Sequence, residues 1–142
     1  MLVIVGVFGY KNINKKIKVY KQEEAFGYVN YVTVKNSYYK IDKDKNYIII
    51  NFDVFKNGKN ERLDLNNMIL AIDKVEYIAN KNICYKFSDL GNCYKKQYIT
   101  NNSKNYIAVY EVDEINVKKS YLLYNENFED TFKVKLDLEN YE

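Results

Sequence analysis

The stretch from Asn46 to Asp64 constrains the fold of this chain more than any other part of the sequence. Large apolar residues recur in it at every second position: Ile48, Ile50, Phe52 and Val54. Because side chains on a β-strand alternate between its two faces, this spacing predicts a strand with one fully apolar face. An Asn-Gly pair at 57–58 then predicts a turn. Such a strand belongs to a layered β structure, in which its apolar face packs against a second sheet.

Short strand-like segments separated by turn residues recur along the rest of the chain. The predicted strands are 29–35, 47–56, 68–78, 83–87, 94–100, 106–112, 120–124 and 131–138. Apolar residues at spacing three in 68–78 also fit a helix, but no helix cap or stop brackets them, so a strand is favoured. In 131–138 the alternation places Lys133 and Lys135 outside. Seven to nine short strands at intervals of about ten residues predict an all-β, antiparallel β-sandwich.

The composition and charge argue against a nucleic-acid partner. Lys, Asn, Tyr and Ile make up about half of the 142 residues, and all four have AT-rich codons. An AT-rich genome would therefore account for many of the lysines and for the sixteen tyrosines. The net charge is only +3, and Arg62 is the single arginine. Nucleic-acid-binding domains usually carry a stronger, clustered basic excess and use arginine for bidentate contacts.

The sequence also argues against an enzyme. It contains no histidine, so the commonest general base is missing and a Ser-His-Asp or Cys-His arrangement cannot be built. Residues 42–46 match the opening of a calcium loop, but Tyr47 stands where that loop needs Gly and Asp53 where it needs Glu. Two cysteines cannot fill the four positions of a zinc site. We predict no catalytic residues, no metal site and no cofactor.

The first 26 residues divide into two segments ahead of the domain predicted for 27–142. Residues 1–10 are apolar, and residues 11–26 are rich in lysine. Ten apolar residues are too few to span a bilayer, which takes about 20. The apolar segment is either the end of a membrane anchor or signal that starts further upstream, or a buried first strand. The lysine-rich segment is correspondingly a juxtamembrane segment or a solvated linker.

Cys84 and Cys93 are the only cysteines, and they lie nine positions apart across a predicted turn. In a cytosolic protein such residues are usually small buried side chains. Outside the membrane, an even number of cysteines across a turn suggests a disulfide that closes a loop of about ten residues. Such a bond would stabilise the fold by about 2–3 kcal/mol. The two residues are thus a disulfide candidate.

Tyrosines supply the candidate binding surface. An exposed aromatic platform for contact with a glycan or a protein could be formed by Tyr38, Tyr39, Tyr121 and Tyr124, with Tyr141 beside them. Tyrosine is also a favoured strand residue, so the same positions fit an ordinary sheet.

Several segments of the chain resemble a known bacterial family. They are Val-Thr-Val-Lys-Asn (32–36), Asn-Tyr-Ile-Ile-Ile-Asn-Phe (46–52), Asn-Gly (57–58), Met-Ile-Leu-Ala-Ile-Asp (68–73), Tyr-Ile-Ala-Val-Tyr-Glu-Val (106–112) and Tyr-Leu-Leu-Tyr (121–124). Over residues 25–138 the chain resembles the telokin-like, immunoglobulin-like domain of unknown function that occurs on Gram-positive membrane-anchored lipoproteins and secreted antigens. The resemblance implies an immunoglobulin-like sandwich outside the membrane, with no catalytic residues to transfer. The family often has Pro-Gly where this chain has residues 101–104, and its lipobox cysteine has no counterpart near this N-terminus.

Two functions are therefore expected. The first is a non-catalytic, extracytoplasmic binding or structural module, anchored to the membrane through its N-terminus, with a protein or a cell-wall component as partner. The alternative is an intracellular β-rich protein-interaction protein of phage or mobile-element origin, whose first ten residues are a core strand. The redox state of Cys84 and Cys93 discriminates between them.

Overall fold

The structure is a computed structural model that describes residues 18–56, 62–127 and 130–142. The predicted apolar segment 1–10, the first part of the predicted linker and the predicted turn at 57–58 lie outside these residues. The described residues form twelve strands, seven of which have four or more residues. In chain order they are β1 (Val19–Tyr20), β2 (Ala25–Phe26), β3 (Asn30–Asp42), β4 (Lys45–Lys56), β5 (Leu63–Asp64), β6 (Met68–Ile72), β7 (Val75–Ile78), β8 (Tyr98–Ile99), β9 (Ser103–Val112), β10 (Ser120–Asn125), β11 (Thr131–Lys135) and β12 (Leu138–Asn140).

These strands assemble into two five-stranded sheets and one small two-stranded sheet. The first, which we call the β10 sheet, has the order β1-β11-β10-β6-β7. The second, the β4 sheet, has the order β12-β3-β4-β9, and β2 also pairs with β3. Strands β5 and β8 pair with each other. Neighbouring strands are antiparallel, except in the short pairs β1–β11 and β12–β3, which are parallel.

A long hairpin of β3 and β4 forms the centre of the β4 sheet. Its register runs from Asn30 opposite Lys56 to Asp42 opposite Lys45, with a bulge between Val34 and Asn36. Lys43 in the connecting turn has a φ of 61°, a conformation that tight hairpin turns require. The polar residues at 42–46, which partly match a calcium loop, are thus the tip of this hairpin.

The core lies between the two large sheets. The predicted apolar face of β4 is buried there, together with the inward-facing residues of β6, β9, β10 and β11. The members with no more than 1% of their surface exposed include Val32, Val34, Ile48, Ile50, Phe52, Met68, Leu70, Ala108, Tyr110, Leu122 and Val134. Two sheets that share one core are a sandwich, so the all-β prediction is confirmed.

Within the described residues three 3-10 helices interrupt the strands, at Leu65–Asn67, Lys81–Phe87 and Val117–Lys119. The second replaces the strand predicted for 83–87. Asn80 caps the N-terminus of this helix, since its side chain accepts a hydrogen bond from the backbone N–H of Asn82 at 2.9 Å. The predicted strand at 94–100 shrinks to β8, and the long strand at 68–78 is a hairpin of β6 and β7 that turns at Asp73, where φ is 56°.

Residues 18–26 belong to the sandwich, which corrects the predicted start of the domain at residue 27. Strand β1 pairs with β11, and β2 pairs with β3. Phe26 is buried, with its ring centroid 6.0 Å from that of Phe132 and 6.1 Å from that of Tyr124. This aromatic contact holds the segment in the core rather than in a solvated linker.

Candidate functional site

The loop between β7 and β8 is closed by a disulfide. The Sγ atoms of Cys84 and Cys93 are 2.05 Å apart, with their Cα atoms 5.9 Å apart, and neither cysteine is free. Cys84 lies on the 3-10 helix Lys81–Phe87 and is buried. The two candidate cysteines are therefore bonded to each other in the structure.

This disulfide loop covers the outer face of the β4 sheet. Side chains from β4 and β9 that point away from the main core form a second apolar cluster with Cys84 and Phe87. The sheet residues in that cluster are Tyr47, Ile49, Ile107 and Val109. Because the loop buries this outer face, the central strand is buried on both sides over Tyr47–Phe52. Two-sided burial explains why the run Ile48–Ile50 is continuously apolar instead of alternating with polar residues.

Asn51 joins the disulfide loop to the sheet. Its side-chain amide donates hydrogen bonds to Oδ1 of Asn105 at 2.8 Å, to the carbonyl of Tyr106 at 3.2 Å and to the carbonyl of Leu90 at 3.3 Å. The backbone of Asn92 also exchanges hydrogen bonds with β9, since its N–H donates to Asn105 at 2.7 Å. The loop is thus fixed to β9 by polar contacts, and the disulfide joins two positions within the loop itself.

The C-terminus closes over the same region. The ring of Tyr141 contacts the rings of Phe87 and Tyr38, with centroids 6.0 and 6.1 Å apart. Its hydroxyl donates to the carboxylate of Asp89, and this hydrogen bond, followed by burial, raises the pKa of Tyr141. Tyr38 therefore lies in an aromatic group that stabilises the loop.

The four tyrosines predicted as a binding platform do not share one surface. Tyr38 and Tyr39 are successive residues of β3, so their side chains point to opposite faces of the sheet. Tyr38 packs against the second cluster, and Tyr39 packs against the main core. Tyr124 is buried in the main core, 2% exposed, whereas Tyr121 lies on the outer face of the β10 sheet. Of the four, Tyr121 alone faces outward from the β10 sheet.

Tyr121 belongs to what we call the β10 face, the outer face of the β10 sheet. Two rows of directly opposed side chains cross this face. One row is Lys135, Tyr121, Ala71 and Glu76. The other is Val19, Lys133, Leu123, Ile69 and Ile78. A depression of about 380 Å³ opens above Ala71, whose small side chain leaves space between its larger neighbours. The rim of the depression includes Asp73, Lys74, Glu76, Lys119 and Lys133.

Two lysines converge on the ring of Tyr121. The Nζ atoms of Lys133 and Lys135 lie 4.3 and 4.9 Å from the ring centroid, within the range of a cation–π interaction. Lys135 also donates to the carbonyl oxygen of Val117 at 3.4 Å and to that of Lys118. Burial lowers the pKa of Lys135, and the carboxylate of Asp137 opposes this effect. Tyr121 thereby holds two ammonium groups beside the depression.

The lysines of the β10 face make no ion pair with another described residue. Over 18–56, 62–127 and 130–142 the one ion pair is Lys45 with Glu111 at 3.8 Å, at the far end of the β4 sheet. Within these described residues, no ion pair is made by Lys74, Lys119 or Lys133. The unpaired positive charge makes this face suited to an anionic partner.

The described part of the chain shows neither of two other kinds of site. It contains no group of three or more Cys, Asp or Glu side chains placed to hold a metal ion. It also contains no helix that is long and apolar enough to cross a membrane.

The comparisons with known proteins support the fold. No protein-family model and no curated protein sequence matches the chain. The structure is similar to that of a candidate lipoprotein from Staphylococcus aureus subsp. aureus, with a TM-score of 0.53 and 16% sequence identity. The similarity covers 91% of this chain and 100% of the other. At this identity the likeness shows a common β-rich fold.

Proposed function

We propose that this chain is a non-catalytic module of the telokin-like, immunoglobulin-like kind that works outside the cytoplasm. In this proposal an N-terminal segment anchors it to the membrane, and the sandwich serves as a binding or structural module for a protein or a cell-wall component. The observation that carries the proposal is the disulfide between Cys84 and Cys93. Disulfides persist in oxidising compartments and are rare in the cytosol, where thiols are kept reduced.

The position of the disulfide supports a structural role. Cys84 is 1% exposed and sits in the apolar cluster that the loop forms with β4 and β9. Without the bond, the hydrogen bonds to Asn51 and β9 and the apolar contacts of the loop would have to keep this cluster covered. A bond that keeps a sheet face covered slows the unfolding of the loop, which prolongs the lifetime of a protein that works outside the cytoplasm.

The similar fold supports the same compartment. The solved structure that resembles this chain is that of a candidate lipoprotein, and residues 25–138 resemble a domain found on Gram-positive membrane-anchored lipoproteins. The absence of histidine from the sequence supports binding over catalysis, since the residue most used for proton transfer near neutral pH is missing.

The test is the intact mass of the protein isolated from its native host, with alkylation before and after reduction. The proposal predicts no alkylation before reduction and two alkyl groups after it. A Cys84→Ala/Cys93→Ala variant expressed in the same host is the control, since it takes up no alkyl group in either sample. Fractionation of the host then locates the protein, which we expect with the membranes after a high-salt wash.

Two free thiols in freshly isolated protein, with the chain in the soluble fraction, would overturn the proposal. That result would favour the intracellular β-rich interaction protein, in which the cysteines are ordinary buried side chains.

A further inference from the structure

The outer faces of the two large sheets differ in a way that calls for an explanation. The disulfide loop buries the outer face of the β4 sheet. In the described part of the chain no comparable loop covers the β10 face, although one of its rows is largely aliphatic. Val19 is 47% exposed and Ile78 is 58% exposed at the two ends of that row, with Leu123 and Ile69 between them. A solvated sheet face is normally polar, so an aliphatic row indicates a contact surface.

The charges beside this row favour an anionic partner. Lys133 lies within the row, Lys135 lies in the next, and Lys74 and Lys119 stand at the rim of the depression. These ammonium groups make no ion pair within the described residues, as shown above. Asp73, Lys74 and Glu76 all lie on the β6–β7 side of the depression, where the two acidic groups outnumber the one lysine. The net positive charge is therefore on the side of β10 and β11, where Lys119, Lys133 and Lys135 lie.

If residues 1–10 belong to the proposed membrane anchor, the short connection from them to β1 keeps the β10 face near the bilayer. Val19 begins β1, at the edge of the β10 sheet, and pairs with Lys133. Seven residues, 11–17, separate the apolar segment 1–10 from Lys18. Fully extended, seven residues reach at most about 25 Å. An anchor in residues 1–10 therefore keeps the β1 edge of the sheet within about 25 Å of the membrane. Three of the seven connecting residues are lysines, Lys11, Lys15 and Lys16.

We propose that the β10 face docks on an anionic phospholipid surface. Val19 and Ile78 enter the headgroup region with Leu123 and Ile69 between them, and the ammonium groups of Lys119 and Lys133 contact lipid phosphates. A flat face that combines aliphatic side chains with lysines has the chemistry of interfacial membrane binding. A short tether gives the β10 face a high effective concentration at the bilayer, so weak contacts with lipid are enough for docking. The inference rests on the membrane anchoring proposed above.

Single tryptophans test the docking directly, because the chain contains none. In the full chain we would make Ile78→Trp on the β10 face. The matched control is Ile41→Trp, at the tip of the β3–β4 hairpin, because Ile41 and Ile78 are each 58% exposed. Each variant is bound to vesicles of phosphatidylcholine alone or of phosphatidylcholine with phosphatidylglycerol, both with brominated acyl chains that quench tryptophan on contact. We expect a blue shift and quenching for Ile78→Trp on the anionic vesicles only, and neither effect for Ile41→Trp.

Charge reversal in the Ile78→Trp variant distinguishes docking through the β10 face from nonspecific attraction of a positively charged protein to the vesicles. Lys119→Glu/Lys133→Glu is compared with Lys95→Glu/Lys96→Glu. Lys95 and Lys96 are exposed and lie between Cys93 and β8, and the two double substitutions change the net charge by the same amount. Losing the attraction of two lysines near an anionic surface shifts the docking equilibrium roughly 30-fold. We therefore expect the first pair to abolish quenching and the second to leave most of it.

Flotation of the same vesicles distinguishes the two proposals. If the chain floats but the tryptophan at 78 stays accessible to acrylamide on both vesicle types, the anchor is present and the docking is refuted. That result would leave an acidic protein segment as the partner of this face. Equal loss of quenching in the two charge-reversed pairs would also refute the docking. If the chain floats with neither vesicle type, membrane anchoring itself fails.

Discussion

The carboxylate of Glu126 accepts a hydrogen bond from the backbone N–H of Val29 at 2.7 Å, across 97 residues of sequence. The same carboxylate accepts from the N–H groups of Asn30 and Tyr28, each at 2.9 Å. Glu126 follows β10, whereas Tyr28 and Val29 lie between β2 and β3 and Asn30 is the first residue of β3. One side chain therefore satisfies three successive backbone donors and ties the β10 sheet to the β4 sheet. Gly27 makes this turn possible with a φ of 110°, since a Cβ there would lie 2.0 Å from the carbonyl oxygen of Asn30.

Removal of this carboxylate is expected to destabilise the fold. Glu126→Ala leaves three N–H groups without their acceptor, and we expect the free energy of unfolding to fall by about 2–3 kcal/mol. Glu126→Gln keeps one carbonyl oxygen and should cost about half as much. Urea denaturation at pH 7 measures both. The control is Glu24→Ala, because Glu24 accepts only from the exposed N–H of Lys21, at 2.7 Å, and should change stability by less than about 1 kcal/mol. Equal stability of Glu126→Ala and the wild type would contradict this account.

The alternation of apolar and polar residues predicted the long strands, because the burial pattern of each strand is visible in the sequence of that strand. In β4 and β11, inward and outward positions alternate in the sequence just as they do in the sheet, and Phe132, Val134 and Leu136 are buried as that pattern requires. The same alternation also predicts that Tyr124 is buried, because Tyr124 lies two positions after the buried Leu122 in β10. Its burial could have been predicted, whereas its aromatic contacts with Phe26 and Phe132 could not.

The 3-10 helix Lys81–Phe87 shows where local alternation fails. Ile83, Tyr85 and Phe87 alternate as in a strand, but Cys84 and Phe87, three apart, are the buried pair. A segment of seven residues is too short for periodicity to separate the two patterns. Contacts between segments that are distant in the sequence could not be predicted from any local residue pattern. The pairing of β1 with β11, the position of Glu126 and the convergence of two lysines on Tyr121 depend on how the sheets assemble.

The disulfide loop should lose stability when the bond is removed. Closing a loop of about ten residues lowers the entropy of the unfolded chain, so Cys84→Ala/Cys93→Ala should reduce the free energy of unfolding by about 2–3 kcal/mol. Alanine avoids placing a hydroxyl at the buried position of Cys84. In urea titrations with a reducing agent, the wild type should approach the variant, while the variant should not respond to the reductant. A wild type that is insensitive to reduction would contradict a stabilising bond.

Gly91 should tolerate no side chain, because the disulfide loop lies directly against β9 there. A Cβ at this position would lie 2.7 Å from Cγ2 of Ile107 and 2.8 Å from the carbonyl oxygen of Asn105. Gly91→Ala should therefore destabilise the protein by about 1–3 kcal/mol through displacement of the loop. Ser88→Ala, in the same loop, is the control and should stay within about 0.5 kcal/mol of the wild type. Thermal or urea denaturation compares the two, and equal stabilities would show that the loop can move away without cost.

Buried tyrosines should make the fold sensitive to alkaline pH. Burial raises the pKa of Tyr94 to about 12, and burial is also the main cause that raises the pKa of Tyr124 to about 12. Burial likewise raises the pKa of Tyr110, whose hydroxyl donates to the carbonyl of Met68 at 2.8 Å. In the unfolded chain a tyrosine ionises near pH 10. Between pH 10 and 12 the unfolded state has therefore released protons that the folded state retains, so stability falls as the pH rises.

The slope of that decline tests the burial of Tyr94. Each such tyrosine contributes at most about 1.4 kcal/mol per pH unit in this window, and its contribution to stability is fully present below pH 10. Tyr94→Phe should reduce the slope by about this amount and leave the contribution of Tyr124. It should also leave most of the contribution of Tyr110, because burial raises the pKa of Tyr110 more than the charge of Tyr94 does. The control is Tyr85→Phe, since Tyr85 is 69% exposed and should leave the slope unchanged. Urea titrations at intervals from pH 9 to 12 give the slopes. If Tyr94→Phe and the wild type lose stability in parallel, the phenol of Tyr94 is reached by water in the folded state.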